Sequence, residues 1–140
     1  MTIPTRNASA ERNLKLLLRF FGSTSLSALI FVVAPRSWME AIHFEVGMGT
    51  LPEAPVVGYL ARSLSAFYAL MGGLFWTLSF DLRRYRAVVQ YMGCGLAVFG
   101  VILLGVDWWE GLPFVWKVWE GPVVILLGLF MRFLSRRLAG

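Results

Sequence analysis

Apolar residues run almost unbroken through four stretches of the chain, 16–34, 56–80, 87–106 and 122–134, with short polar or mixed segments between them. A helix rises about 1.5 Å per residue, so about 20 residues cross a hydrocarbon core. The pattern predicts four spanning helices, over 14–34, 56–80, 87–106 and 122–138, which form a single domain, 14–138. A polar segment, 1–13, precedes them and should lack regular structure until a helix start near Ser9. Pro35 ends the first span, since proline lacks the amide that would continue it. In the longest connection, 36–55, Trp38, Met39, Ile42 and Val46 recur at spacings of three and four. That spacing predicts a short amphipathic helix in the membrane interface, ended by Gly47, Gly49, Pro52 and Pro55. Pro113 and Pro122 both suit first-turn positions. A second interfacial helix should therefore start at Pro113 and break at Gly121 and Pro122, where the last span begins. Only residues 81–86 separate the second and third spans, which makes those two an antiparallel hairpin. The fold class is an all-α integral membrane four-helix bundle.

Charge orients the bundle. The segments before the first span, between the second and third, and after the fourth carry ten cations against Glu11 and Asp81. The other face carries Arg36, Arg62 and Lys117 against Glu40, Glu45, Glu53, Asp107, Glu110 and Glu120. The positive-inside rule then puts both termini in the cytoplasm and both acidic loops outside. Trp38, Trp108, Trp109, Trp116 and Trp119 fall on that outer side as an aromatic belt. Phe20 to Ala34 has the length of a signal-peptide core, but Pro35 directly after it disfavours cleavage, so the first helix is expected to stay. With 58% hydrophobic and 15% charged residues, 140 residues are too apolar for a water-soluble domain. The basic clusters sit at helix ends, where anionic lipid explains them; a nucleic-acid partner is not expected. Cys94 stands alone, which excludes an internal disulfide or a cysteine-rich metal site.

Candidate chemistry is sparse. Ala61, Ser65, Ala69 and Gly73 lie four apart on the second span, and small residues let helices approach closely in lipid. This stripe is the candidate helix-packing seam, and the third span has a comparable set in Gly93, Ala97 and Gly100. No carboxylate lies mid-span, which argues against a proton-coupled transporter. Arg62 sits about two turns into the second stretch, at a depth similar to Asp107, Glu110 and Glu120. These four residues are either structural ion pairs that fix helix order or an outer polar pocket for a head group or partner. His43 with Glu40 and Glu45 is a weak match to metal geometry and reads as an interfacial histidine. Ser23, Thr24, Ser25 and Ser27 should bond back to the preceding turn or across to a neighbouring helix. No catalytic, cofactor-binding or metal-ligating residue emerges, and no cofactor is implied.

The run Ala66-Phe67-Tyr68-Ala69-Leu70-Met71-Gly72-Gly73, the basic turn 81–86 and Glu120-Gly121-Pro122 resemble those of small bacterial four-helix membrane proteins of the DoxX-like kind and allied uncharacterised families. That resemblance implies four spans in a bacterial inner membrane and an accessory role beside other proteins. A second likeness is to four-helix glutathione-using membrane enzymes. Arg84-Tyr85-Arg86-Ala87 followed by Gln90 approaches their motif, without its leading Glu and with its Asn replaced. The reading favoured by the residues is a small non-enzymatic membrane protein, an accessory or structural subunit acting through helix packing. The alternative is a lipid- or amphiphile-binding protein with an outer polar pocket, and the glutathione-type enzyme stands behind both. Expected partners are membrane lipid and other membrane subunits or further copies of the chain. Cysteine reporters at Glu53 and Ser135, in a Cys94→Ser background, should label from opposite sides of the membrane. Labelling of both from one side would overturn the threading.

Overall fold

The computed structural model describes residues 5–138, which form six helices and, among the described residues, no strand. These are α1 (Thr5–Ser27), α2 (Leu29–Val33), α3 (Arg36–Glu45), α4 (Pro55–Phe80), α5 (Arg86–Trp109) and α6 (Phe114–Arg137). Residues 1–4 of the polar leading segment lie outside the described residues. The rest of that segment is helical, ahead of the start expected near Ser9. Ala8, Ala10, Glu11, Arg12 and Leu14 have high helix propensity, and Ala10, Leu14 and Leu18 form a buried stripe at four-residue spacing. Four segments are long and apolar enough to cross a membrane: Ala8–Val33, Pro55–Phe80, Arg86–Trp109 and Phe114–Arg137. Along them Leu60, Leu64, Phe67 and Leu70, then Val98, Val101 and Ile102, then Leu126 and Leu129 are each more than half exposed. A surface of that kind is untenable in water and ordinary in hydrocarbon. The chain is a multi-pass membrane protein by length and apolarity.

The described residues divide into two compact units, one of 19–77 and one of those up to Leu18 together with those from Leu78 onward. In the 19–77 unit, α1 and α4 meet at two glycines. A Cβ on Gly72 would lie 2.6 Å from the Gly22 carbonyl oxygen and 2.7 Å from the Leu26 amide nitrogen. Beside this contact the Trp76 indole donates to the Ser23 hydroxyl at 3.2 Å, and the Arg19 guanidinium lies 5.0 Å from the Trp76 ring centre. The first span is not one continuous helix, because α1 gives way to α2 at Ala28. The Thr24 hydroxyl donates to the Phe20 carbonyl and the Ser27 hydroxyl to the Thr24 carbonyl, and such back-bonding loosens the main-chain ladder. After Pro35 the expected helix in 36–55 is present as α3. It closes in a Schellman motif, with Gly47 N–H donating to the Phe44 carbonyl and Met48 N–H to the His43 carbonyl. Gly47 has φ +82°, a conformation glycine adopts without strain.

In the other unit, Asp81 organises the turn between α4 and α5 by accepting from the Arg84 amide at 3.0 Å. Glu11 of α1 and Arg83 form an exposed ion pair at 3.3 Å. α5 ends in a second Schellman motif, in which Gly111 (φ +69°) donates to the Trp108 carbonyl and Leu112 to the Asp107 carbonyl. α5 and α6 then pack antiparallel through four glycines. A Cβ on Gly128 would lie 2.5 Å from the Gly93 carbonyl oxygen and from the Ala97 amide nitrogen. One on Gly100 would lie 2.7 Å from the Gly121 carbonyl oxygen. The interfacial helix expected from Pro113 does not break off at Pro122, because α6 runs through it as one helix. Besides losing one main-chain hydrogen bond, a proline inside a helix crowds the carbonyl four residues back and the Cβ of the residue before it; Gly121 has no Cβ, which removes the second clash. The Gly100 contact also holds the backbone at that point.

Gly100→Leu should cost about 1–3 kcal/mol of stability, since its new side chain meets backbone on α6. Gly105→Leu, where a Cβ meets nothing within 4 Å, should stay within about 0.5 kcal/mol of the parent. Thermal melting in detergent compares them, and equal melting temperatures would refute the packing argument.

Candidate functional site

Arg62 is half-buried on α4, and its guanidinium donates to the carbonyls of Val32 and, at 3.0 Å, Ala34. These are carbonyls at the C-terminal end of α2 that no further helical turn can satisfy. A cation there also suits the negative end of the helix dipole. Arg62 makes no ion pair among the described residues. Nearby in the chain, exposed Arg36 donates to the Leu51 carbonyl at 3.4 Å and the Pro52 carbonyl at 2.6 Å. His43 Nδ1 is 2.9 Å from the Gly49 carbonyl, so its ring ties the loop after α3 back onto that helix. Arg36 and His43 together fold the connection into a closed loop.

The carboxylates paired with Arg62 in the sequence reading belong to the other unit. Asp107, near the end of α5, is 2% exposed, and its Oδ2 has no hydrogen-bond partner among the described residues. Half-buried Glu120, in the second turn of α6, lies within electrostatic reach of Asp107 and accepts a hydrogen bond from the Trp116 indole. Glu110 is the exposed C-cap of α5. Lys117 places its ammonium 4.7 Å from the Trp108 ring centre, a cation–π contact, and makes no ion pair among the described residues. The structure thus brings Asp107 and Glu120 together, with Glu110 at the helix end.

On α4 the small stripe has mixed surroundings. The Ser65 hydroxyl bonds back to the Ala61 carbonyl at 2.8 Å, Ala69 is buried, and a Cβ on Gly73 meets nothing within 4 Å. An apolar groove of about 660 Å³ runs along this part of the helix, lined by Ala69, Leu70, Met71, Gly73, Leu74 and Thr77. The close helix contact lies one residue earlier, at Gly72. Sequence reasoning also passed over Arg132, which reaches from α6 to donate to the Cys94 sulfur on α5. The signal was the position of Arg132, two residues before the apolar stretch ends and opposite Gly93 across the α5–α6 contact. Among the described residues, no group of three or more His, Cys, Asp or Glu could hold a metal ion. No family model, curated protein or solved structure matches the chain.

A buried carboxylate oxygen without a donor, beside a second carboxylate, opposes folding. Asp107→Asn keeps the shape and removes the charge, and with it the repulsion from Glu120. It should raise stability in detergent by about 1 kcal/mol. A fall in melting temperature would mean that the carboxylate is held by something that stabilises the fold.

Proposed function

We propose that this chain is a small non-enzymatic membrane protein, an accessory or structural subunit that works by packing its helices against those of a partner. The observation that carries the reading is the open, small-residue side of α4. Gly73 has no neighbour for a Cβ, and Gly73 and Thr77 lie along an apolar groove beside Leu70, Met71 and Leu74. In lipid, apolar burial gives no drive between helices. Association then depends on close van der Waals fit, and a face of small residues supplies the required approach. The natural occupant is a transmembrane helix, from another subunit or from a second copy of the chain. The inside-facing termini and interfacial α3 follow from the charge asymmetry and from the apolar spacing of Trp38, Ile42 and Val46. A bacterial inner membrane and kinship with DoxX-like proteins complete the proposal, on the sequence likeness alone.

The alternative, an outer polar pocket for lipid or another amphiphile, is favoured by one feature, the unpaired charge of Arg62.

A Cβ on Gly73 meets nothing within 4 Å, so Gly73→Leu should leave the melting temperature unchanged while abolishing crosslinked or copurified assemblies in mild detergent. Gly72→Leu should instead lower the melting temperature itself, by an amount typical of overpacking, about 1–3 kcal/mol. Assemblies that survive intact in Gly73→Leu would refute the reading.

A further inference from the structure

Two guanidinium groups are anchored around one bend of the 19–77 unit, and among the described residues no carboxylate pairs with either of them. Arg62 is fixed to the Val32 and Ala34 carbonyls, and Arg36, two residues beyond Ala34, is fixed to those of Leu51 and Pro52. Two residues of extended chain span at most about 7 Å, so the anchor of Arg62 and the backbone of Arg36 are close. Glu40, Glu45 and Glu53 belong to the same connection, yet none pairs with either arginine. A carbonyl is a dipole and leaves a unit positive charge in place. Each guanidinium has five N–H donors, of which these contacts use two at most. Both groups are thus oriented by backbone, still charged and still rich in donors.

Their depth selects the anion. α2 ends at Val33 and α4 begins at Pro55, so the bend sits where two membrane-crossing segments leave the hydrocarbon. Arg62 is seven residues into α4, about 10 Å along its axis, which is close to where a head-group layer of about 5–8 Å meets the hydrocarbon. The abundant anion at that level is phosphate, and the planar guanidinium fork matches two of its oxygens. We propose that Arg36 and Arg62 form a phosphate site at the Ala34–Pro35 bend, which holds the head group of an anionic phospholipid. The site rests on the chain crossing a membrane and is independent of the partner-helix reading.

The test uses full-length protein in detergent with Cys94→Ser and an environment-sensitive fluorophore on Ser37→Cys, an exposed position next to Arg36. Phosphatidylglycerol should give a saturable response at far lower concentration than phosphatidylcholine or inorganic phosphate. Arg36→Gln and Arg62→Gln should each weaken it about tenfold, as expected for loss of one charge-assisted contact. Should Arg62→Gln fail to fold, Arg62→Lys keeps the charge without the fork and should still weaken binding. Gly73→Leu should respond like the parent. Unchanged titrations in Arg36→Gln and Arg62→Lys would overturn the site. An equal response to inorganic phosphate would overturn the lipid as its source, and an equal response to phosphatidylcholine would overturn the preference for anionic lipid.

Discussion

Hydrocarbon offers no hydrogen bond, and every main-chain carbonyl that ends a helix near it must find a donor within the protein. Much of the architecture answers that constraint. α3 and α5 each close on a glycine in the left-handed region, which lets the amides beyond the helix turn back to its last carbonyls. α2 stops at Pro35, where no such motif forms, and the Arg62 side chain supplies the donors instead. Arg36 does the same for the carbonyls of Leu51 and Pro52 before α4 begins. The polar side chains at this end of the molecule therefore complete the backbone first, and whatever charge they retain is available for other use.

Close helix contact follows from the same setting. Lipid competes with any apolar side chain, so helices gain by bringing backbones together. Gly22 with Gly72 does this in one unit, and Gly93, Gly100, Gly121 and Gly128 do it in the other. Glycines that face away, such as Gly95 and Gly105, serve no comparable contact. Position on the helix, and not residue type, separates the two groups.

The apolar runs made the four spans legible, because 20 or so uninterrupted apolar residues have few other fates. The spacing of Trp38, Met39, Ile42 and Val46 also disclosed α3. Two things could not be read. The continuity of α6 through Pro122 depends on Gly121 lacking a Cβ and on Gly100 lying against it, and only the second chain segment supplies that. The destination of Arg62 was equally hidden, since a carboxylate is visible in a sequence and an unsatisfied carbonyl is not. The stripe Ala61, Ser65, Ala69 and Gly73 was expected as the packing seam, whereas the tight internal contact belongs to Gly72, one residue beside Gly73.

Gly93 faces Gly128 and Gly100 faces Gly121, so the two glycines on each helix are seven residues, about 10.5 Å, apart and match in opposite directions. Sliding one helix past the other by a full repeat would leave a single glycine pair in register and drive the remaining glycines against bulky neighbours. The short link from Glu110 to Pro113 gives no slack for such a shift. Sliding along the axis is thereby opposed, because it gives up the close backbone contact that the paired glycines allow.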